Sequence, residues 1–444
     1  MTTQNEPLLL SAPKGIIRDA ARATKRKAGL MLQRVTAGTL STLLGLSGMV
    51  VTEYALEKQG DREVLHIFCE HEHDVAICPH CSQATNKVHD HKERSVRHLD
   101  IWGKRTFVHF SRRRFNCECC GKRFAEELPW IESQRRESSP YEIHVFEQCQ
   151  HTDIAAVAER EALHPETVRG IFERWAKRTE QQQQYSPVRY LGVDEISLHK
   201  GHKDFAMVLS DLERHCVIDV LAERSQEAFE QWLDKRSEAE RKAIRSVAMD
   251  MWGPYRSVVK ARLPWAEIVA DRFHVTKNLN DAMTKIRRNL QVKADAPSYE
   301  LLKGTRWILV RHREDLKPEQ EAKLQAVLAA FPTLRTAYLL KEKFRTISDK
   351  IKDRKQAERF LRAWVYEAQA SGLSQLIKFA KTLKNWWEEY LNYFNEGLTS
   401  AVVEGLNNAI RGVIRRAYGY HLFDNFRLHV MVEHGPPTTL SPPI

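Results

Sequence analysis

Residues from about 50 to 130 alternate apolar and polar positions in short runs. VTEYALEKQ, EVLHIFCE and TFVHFSRRRF change character at every second residue, the period of a sheet with one packed and one wetted face. From 140 to 180 the period lengthens to that of a helix. The glutamine run ending at Gln184, followed by Ser186-Pro187, reads as a linker. Beyond it, VRYLGVDEIS, DFAMVLSDLE and CVIDVLAER predict three strands, the second and third joined through LERH (212–215) as a hairpin. A helical SQEAFEQWLDKR, a strand SVAMD, a helix from Tyr255 to Arg262 and a strand AEIVAD follow. That order predicts a mixed sheet covered by helices. After Phe273 the pattern is almost wholly helical to about residue 420, without an internal repeat.

A chain of 444 residues predicts several domains rather than one core. Lys and Arg exceed Asp and Glu by 69 to 58, a formal net charge of +11, which favours a polyanionic partner such as DNA. The longest apolar run, LSTLLGLSGMVV at 40–51, is about half of the roughly 20 residues a membrane-spanning helix requires. No small-residue cleavage site follows the basic segment before it. The expectation is a cytoplasmic protein without a membrane partner.

Eight cysteines are present, five of them in two tight groups: Cys78 with Cys81, and Cys117 with Cys119 and Cys120. Two C-x-x-C pairs, Cys78/Cys81 and Cys117/Cys120, can close a tetrahedron of thiolates around a structural zinc. His80, His89, His91 and Cys119 are rival ligands, and ordinary reduced cysteines are the alternative. Arg112, Arg113 and Arg114 precede the second pair as candidate phosphate contacts. Between 153 and 172, DIAAVAEREALHPETVRGIF predicts a helix-turn-helix with its turn at Ala162–Pro165, Ala162 standing where a glycine is usual. Its second helix would present Glu166, Thr167 and Arg169 to a DNA groove.

In GVDEIS, residues 192–197, Asp194 and Glu195 are adjacent on a strand and so point to opposite faces. Asp194 therefore needs partners from elsewhere, and Glu195 is left as a structural residue or one supporting the site from a second layer. Asp250 ends the strand SVAMD as Asp194 ends YLGVD, at the strand end where open α/β sheets place ligand sites. Converging carboxylates repel unless a divalent cation lies between them, and hard oxygen donors favour Mg²⁺ or Mn²⁺. A third acid is expected from a helix: Val403, Leu406, Ile410, Val413 and Ala417 make an apolar stripe flanked by Glu404, Asn408, Arg411 and Arg415. Asp271, at the end of the next strand, is the rival to Asp250.

GVDEISLHKGH, AMDMWGPY (248–255), VADRFHV (269–275) and VEGLNNAIRGVIRRAYGYHLFDNFR (403–427), together with CPHC and RRFNCECCGKRF upstream, resemble the ISL3 family of insertion-sequence transposases. That is a DDE family with an RNase H-like core, and the likeness covers roughly residues 40–430. It implies a multidomain α/β chain: an N-terminal extension (1–40), a zinc-ribbon β domain (41–135), a helix-turn-helix domain (136–184), an RNase H-like mixed sheet (185–290), a large helical insertion (291–395), the C-terminal helices of the core (396–434) and a tail (435–444). The acids of such enzymes carry over to Asp194, Asp250 and Glu404 as ligands of catalytic Mg²⁺ or Mn²⁺. Two ions would activate the attacking oxygen and stabilise the leaving one. Asp271 and His274 fall beside them as possible second-layer residues, and Arg411 and Arg415 as DNA contacts. The implied partners are double-stranded DNA, both the element's terminal repeats and the target, and further copies of the chain assembled on it. Two other readings stand beside it: a DNA-binding regulator with an inert core, and a metal-dependent nuclease that does not join strands. Trp307, Trp364, Trp386 and Trp387 in the insertion are read as core residues rather than base-stacking ones.

Overall fold

The structure, a computed structural model, describes residues 37–438 apart from 61, 184, 200–203, 397–400 and 421. Most of the expected N-terminal extension and the last six residues of the tail lie outside the described residues. The described residues divide into two compact units, one up to Arg178 and the other from Thr179 onward.

In the first unit a short helix α1 (Ala37–Leu43) leads into β1 (Met49–Gln59) and β2 (Arg62–His71). A small ladder, β3 (Ala76–Ile77) with β4 (Ala84–Thr85), follows, and then β5 (Val88–Ile101), β6 (Lys104–Asn116) and β7 (Arg123–Ala125). The main sheet runs β1-β2-β6-β5, with β7 on β6. Its packed face gathers Ile67, Val96, Val108 and Phe110 under Trp130, whose ring meets that of Phe110 edge-on at 5.0 Å. Strand β5 was not among the predicted strands. Its first half reads VHDHKER and is mostly exposed, so no apolar alternation marks it, and backbone pairing to β6 holds it in the sheet.

Helices α2 (Ser139–Cys149), α3 (Ile154–Glu161) and, up to Arg178, α4 (Pro165–Gln182) complete this unit's described fold. Asp153 caps α3, its carboxylate accepting the Ala156 N–H at 3.0 Å. Ala162 ends α3 in the left-handed conformation, φ 51°, the geometry that usually selects glycine at this position. The predicted turn is therefore where it was expected. Glu161, the last residue of α3, is mostly buried and accepts hydrogen bonds from Tyr141 Oη at 2.8 Å and Gln148 Nε2 at 2.6 Å. The linker read from the glutamine run is corrected: Gln181 and Gln182 extend α4, and Gln183 is buried, donating to Met431 O at 2.9 Å.

The second unit is built on β8 (Tyr190–Ser197), β9 (Phe205–Asp211), β10 (Cys216–Leu221), β11 (Ser246–Met249) and β12 (Glu267–Ala270), in the order β10-β9-β8-β11-β12. The first three strands are antiparallel neighbours, while β8, β11 and β12 run parallel, giving the mixed order of an RNase H-like sheet. Helices α5 (Gln226–Asp234), α6 (Glu238–Ala243) and α7 (Gly253–Arg262) connect the later strands. One face of the sheet buries Leu191 and Val193 against Phe229, Val258 and Val259; the other buries Ile196 and Val208 against Ile410, Val413, Phe426 and Val430. The latter four come from α17 (Ala401–Arg416) and α18 (Phe423–His434).

Between β12 and α17, α8 (Arg272–Val292) enters the insertion, where α9 to α16 run from Ala296 to Glu396. The insertion has its own core around Phe344, Trp364, Phe379 and Tyr390. Burying a ring the size of Trp364 contributes about 2–3 kcal/mol, and its indole N–H is satisfied by Leu340 O at 2.7 Å. Trp386 is likewise buried and Trp387 packs against this core. Trp307 departs from the expectation: it is 63 % exposed.

Candidate active site

Strand register brings the acids together. Val193 on β8 pairs with Met249 on β11, and Met249 pairs with Ala270 on β12. The next residue on each parallel strand is an aspartate, so Asp194, Asp250 and Asp271 form one row across three adjacent strands. Asp250 occupies the middle, on the strand beside Asp194 as expected, and Asp271 lies one strand further out.

Asp271 also caps α8, accepting the Phe273 N–H at 2.7 Å. That cap starts the helix so that His274, in its first turn, reaches back over the row. Its Nδ1 lies 3.2 Å from Asp250 Oδ2, and its Nε2 lies 3.9 Å from Asp194 Oδ1 and 3.8 Å from Asp271 Oδ2. Burial pushes the Asp194 carboxyl above its ordinary range. For Asp250 burial acts the same way, but the hydrogen bond and charge of His274 outweigh it and hold that carboxyl low. Burial opposes charge on His274 too, yet its bond to Asp250 and the three surrounding carboxylates raise it. The centre is thus a half-buried concentration of hard oxygen donors with too little positive charge, which suits a divalent cation.

Gly192 and α17 complete the site. A β-carbon on Gly192 would meet Ser210 Oγ, Leu212 Cδ2 at 2.7 Å and Val403 Cγ2 at 3.2 Å; the missing side chain lets the helix lie directly on the strand. This approach sets Asn407 over Asp194, with its Nδ2 donating to Oδ2 at 2.5 Å, while Asp194 Oδ1 accepts the Glu195 N–H at 2.7 Å. Glu404, one turn earlier, is exposed and lines the same cleft of about 920 Å³. Asp194, Asp250 and Glu404 thus face one cleft but do not form a closed ligand set here. Among the described residues only the cysteine quartet brings three or more donor atoms within 4.8 Å of one another.

Arg411, Arg415 and Lys277 line the cleft as well, and among the described residues neither arginine pairs with a carboxylate. Glu195, on the other face of β8, binds Arg224 at 2.6 Å and accepts from Tyr255 Oη at 3.3 Å, and it too borders the cleft. Sequence reasoning passed over Asn407 in favour of Asn408. The signal was present: position 407 falls between Val403 and Ile410 on the apolar stripe, where a polar residue needs a reason.

In the first unit, Cys78, Cys81, Cys117 and Cys120 form the quartet. Their two turns are built alike. The Cys78 N–H donates to Gln83 O and the Cys117 N–H to Lys122 O, both at 2.9 Å, while Ser82 and Gly121 donate back to the first cysteine of each pair. Both of those residues are left-handed, φ 58° and 71°. The four sulfurs fit a closed structural zinc site; Cys119 is exposed outside it, and none of the rival histidines belongs to the set.

The arginine run is mostly engaged within the fold. Arg113 is 11 % exposed and grips Glu126 through two nitrogens, at 3.1 and 3.0 Å. Arg112 donates to Glu126 O at 3.0 Å, and Arg114, more exposed, pairs with Asp90. Glu166 and Arg169 pair with each other at 2.5 Å on the exposed first turn of α4, with Thr167 between them half-buried.

Three family models match the chain in the order of these features. Residues 74–120 match the zinc-finger of transposases of the IS204/IS1001/IS1096/IS1165 group, 126–176 the helix-turn-helix domain of transposase family ISL3, and 191–430 the ISL3 transposase domain. The chain is 30 % identical over 369 residues to the transposase for insertion sequence element IS1001 of Bordetella parapertussis, covering 82 % of this chain and 90 % of that one. It is 27 % identical over 353 residues to the transposase for insertion sequence element IS1557 of Mycobacterium tuberculosis, covering 74 % and 78 %. With more than half its length matched by the transposase domain and its zinc and helix-turn-helix modules matched before it, the chain belongs to the ISL3 family of insertion-sequence transposases, enzymes that cut and join DNA.

Proposed function

We propose that Asp194, Asp250 and Glu404 are the catalytic acids of this transposase, and that its DNA substrate is the terminal inverted repeats of an insertion sequence, cleaved and then joined to a target. The observation that carries this is the register row: two acids on neighbouring parallel strands, facing a helix whose Glu404 opens on the same cleft. A bound Mg²⁺ or Mn²⁺ supplies Lewis-acid stabilisation of charge on the attacked phosphate, and Asp194, Asp250 and Glu404 would hold it.

The remaining work belongs to the chain's own side chains. Arg411, Arg415 and Lys277 draw the phosphate backbone into the cleft by charge, next to the exposed rings of Phe273 and Tyr418. His274 keeps the acid row together by pairing with Asp250, and Asp271 fixes His274 by starting its helix. Glu166, Thr167 and Arg169 are the DNA-reading face of the helix-turn-helix, and Arg114 a phosphate contact. The domain limits follow the sequence reading, and the enzyme works as a homodimer or larger assembly on DNA in the bacterial cytoplasm. No described helix is long and apolar enough to cross a membrane.

The test is cleavage and joining of terminal-repeat DNA by the full chain and by Asp194→Asn, Asp250→Asn and Glu404→Gln, with Mg²⁺ or Mn²⁺. Loss of both reactions in all three variants, with repeat binding retained, is the expected result. Cleavage surviving Asp194→Asn would remove the assignment. Cleavage of the wild type without strand joining would make it a nuclease, and binding without either reaction a regulator.

A further inference from the structure

Asn407 is 3 % exposed on a helix face that otherwise packs Val403, Ile410 and Val413 against the sheet. A leucine there would bury apolar surface; the amide instead brings two polar groups out of water. One of them is used, since Nδ2 donates to Asp194 Oδ2 at 2.5 Å. The other is not: Oδ1 is buried and has no hydrogen-bond partner among the described residues. An unsatisfied buried carbonyl is destabilising, so packing alone disfavours this residue. Asn407 borders the cleft, and the contact that sets against this cost is its bond to Asp194.

The consequence for Asp194 is geometric. One of its oxygens is fixed by the Glu195 N–H and the other by Asn407, so the carboxylate is held in one orientation with one further lone pair on each oxygen available. Resting on the reading of Asp194 as a catalytic acid, we propose that Asn407 is a positioning residue, locking the Asp194 carboxylate for divalent-cation binding through its N–H. Such outer supports of a ligand carboxylate typically change metal affinity by about 10–100-fold when removed.

The experiment is Mn²⁺ titration of the zinc-loaded full chain without DNA, followed by electron paramagnetic resonance, for wild type, Asn407→Leu, Asn407→Ala and Asp194→Asn. Thermal midpoints, terminal-repeat binding and the Mn²⁺ dependence of cleavage are measured alongside. Asn407→Leu is expected to bind repeat DNA as wild type does, to bind Mn²⁺ about 10-fold more weakly, and to recover part of its cleavage when Mn²⁺ is raised. Asn407→Ala gives the same comparison if the leucine variant does not fold. A changed midpoint with wild-type Mn²⁺ affinity and dependence means a helix–strand tie only, and overturns the proposal. If Asp194→Asn itself binds Mn²⁺ and cleaves normally, the reading of the acids fails; if it loses both while the Asn407 variants lose neither, the role of Asn407 alone fails.

Discussion

Gly192 and Val403 approach so closely that a β-carbon on the glycine would stand 3.2 Å from Val403 Cγ2. Gly192→Ala therefore presses a methyl on Val403, Leu212 and Ser210 together, an overpacking that costs about 1–3 kcal/mol. The helix carrying Glu404 and Asn407 moves off the strand, so cleavage falls while repeat binding by the first unit is kept. A wild-type unfolding midpoint and wild-type cleavage in this variant would show that the close approach has no such consequence.

The cysteine quartet separates four ligands from one bystander. Serine at Cys78, Cys81, Cys117 or Cys120 releases zinc and loosens the two knuckles, because a closed tetrahedral site contributes directly to folding. Cys119→Ser keeps its zinc, since that residue is exposed and outside the set. Metal analysis of the purified variants decides it, and loss of zinc from Cys119→Ser would contradict the geometry.

The arginine run divides by burial. Removing the Arg113 side chain leaves Glu126, 5 % exposed, with only His71 at 3.3 Å and the backbone N–H of residue 113 at 2.7 Å as partners of its carboxylate among the described residues, and Arg113→Ala is expected to destabilise the first unit by about 3 kcal/mol. Arg114→Ala, at a more exposed pair, leaves the denaturation midpoint nearly unchanged. Arg169→Ala leaves stability unchanged and weakens binding to the terminal repeats. Equal midpoints for the Arg113 and Arg114 variants would refute the distinction.

His98 gives the first unit an acid sensitivity. It is buried between Ser138 Oγ at 2.7 Å and Leu44 O at 2.9 Å, and burial, joined by the charge of Arg97, holds it below its ordinary 6.5 despite the Leu44 bond. The folded ring stays neutral while the unfolded one takes up a proton, so stability is complete above about pH 6.5 and is lost as pH falls below it. Urea midpoints at pH 7 and pH 5.5 should differ less in His98→Gln than in wild type. An identical difference in both proteins rules His98 out as the cause.

Local pattern determined much of this protein. The alternation and run lengths of the sheet strands, the left-handed turn at Ala162 and the two C-x-x-C pairs are short-range features, written in spacings of a few residues. The acid at the end of SVAMD was legible for the same reason. Strand β5 was not, because an exposed, charged strand is defined by the neighbour it pairs with rather than by its own side chains. Only the tertiary structure decided that Asp194, Asp250 and Asp271 share one register row, that Arg113 serves Glu126, and that Asn407 rather than Asn408 meets Asp194. Those relationships join residues from 13 to more than 200 positions apart. They depend on strand order, register and the angle at which a helix lies on a sheet, which no local periodicity specifies.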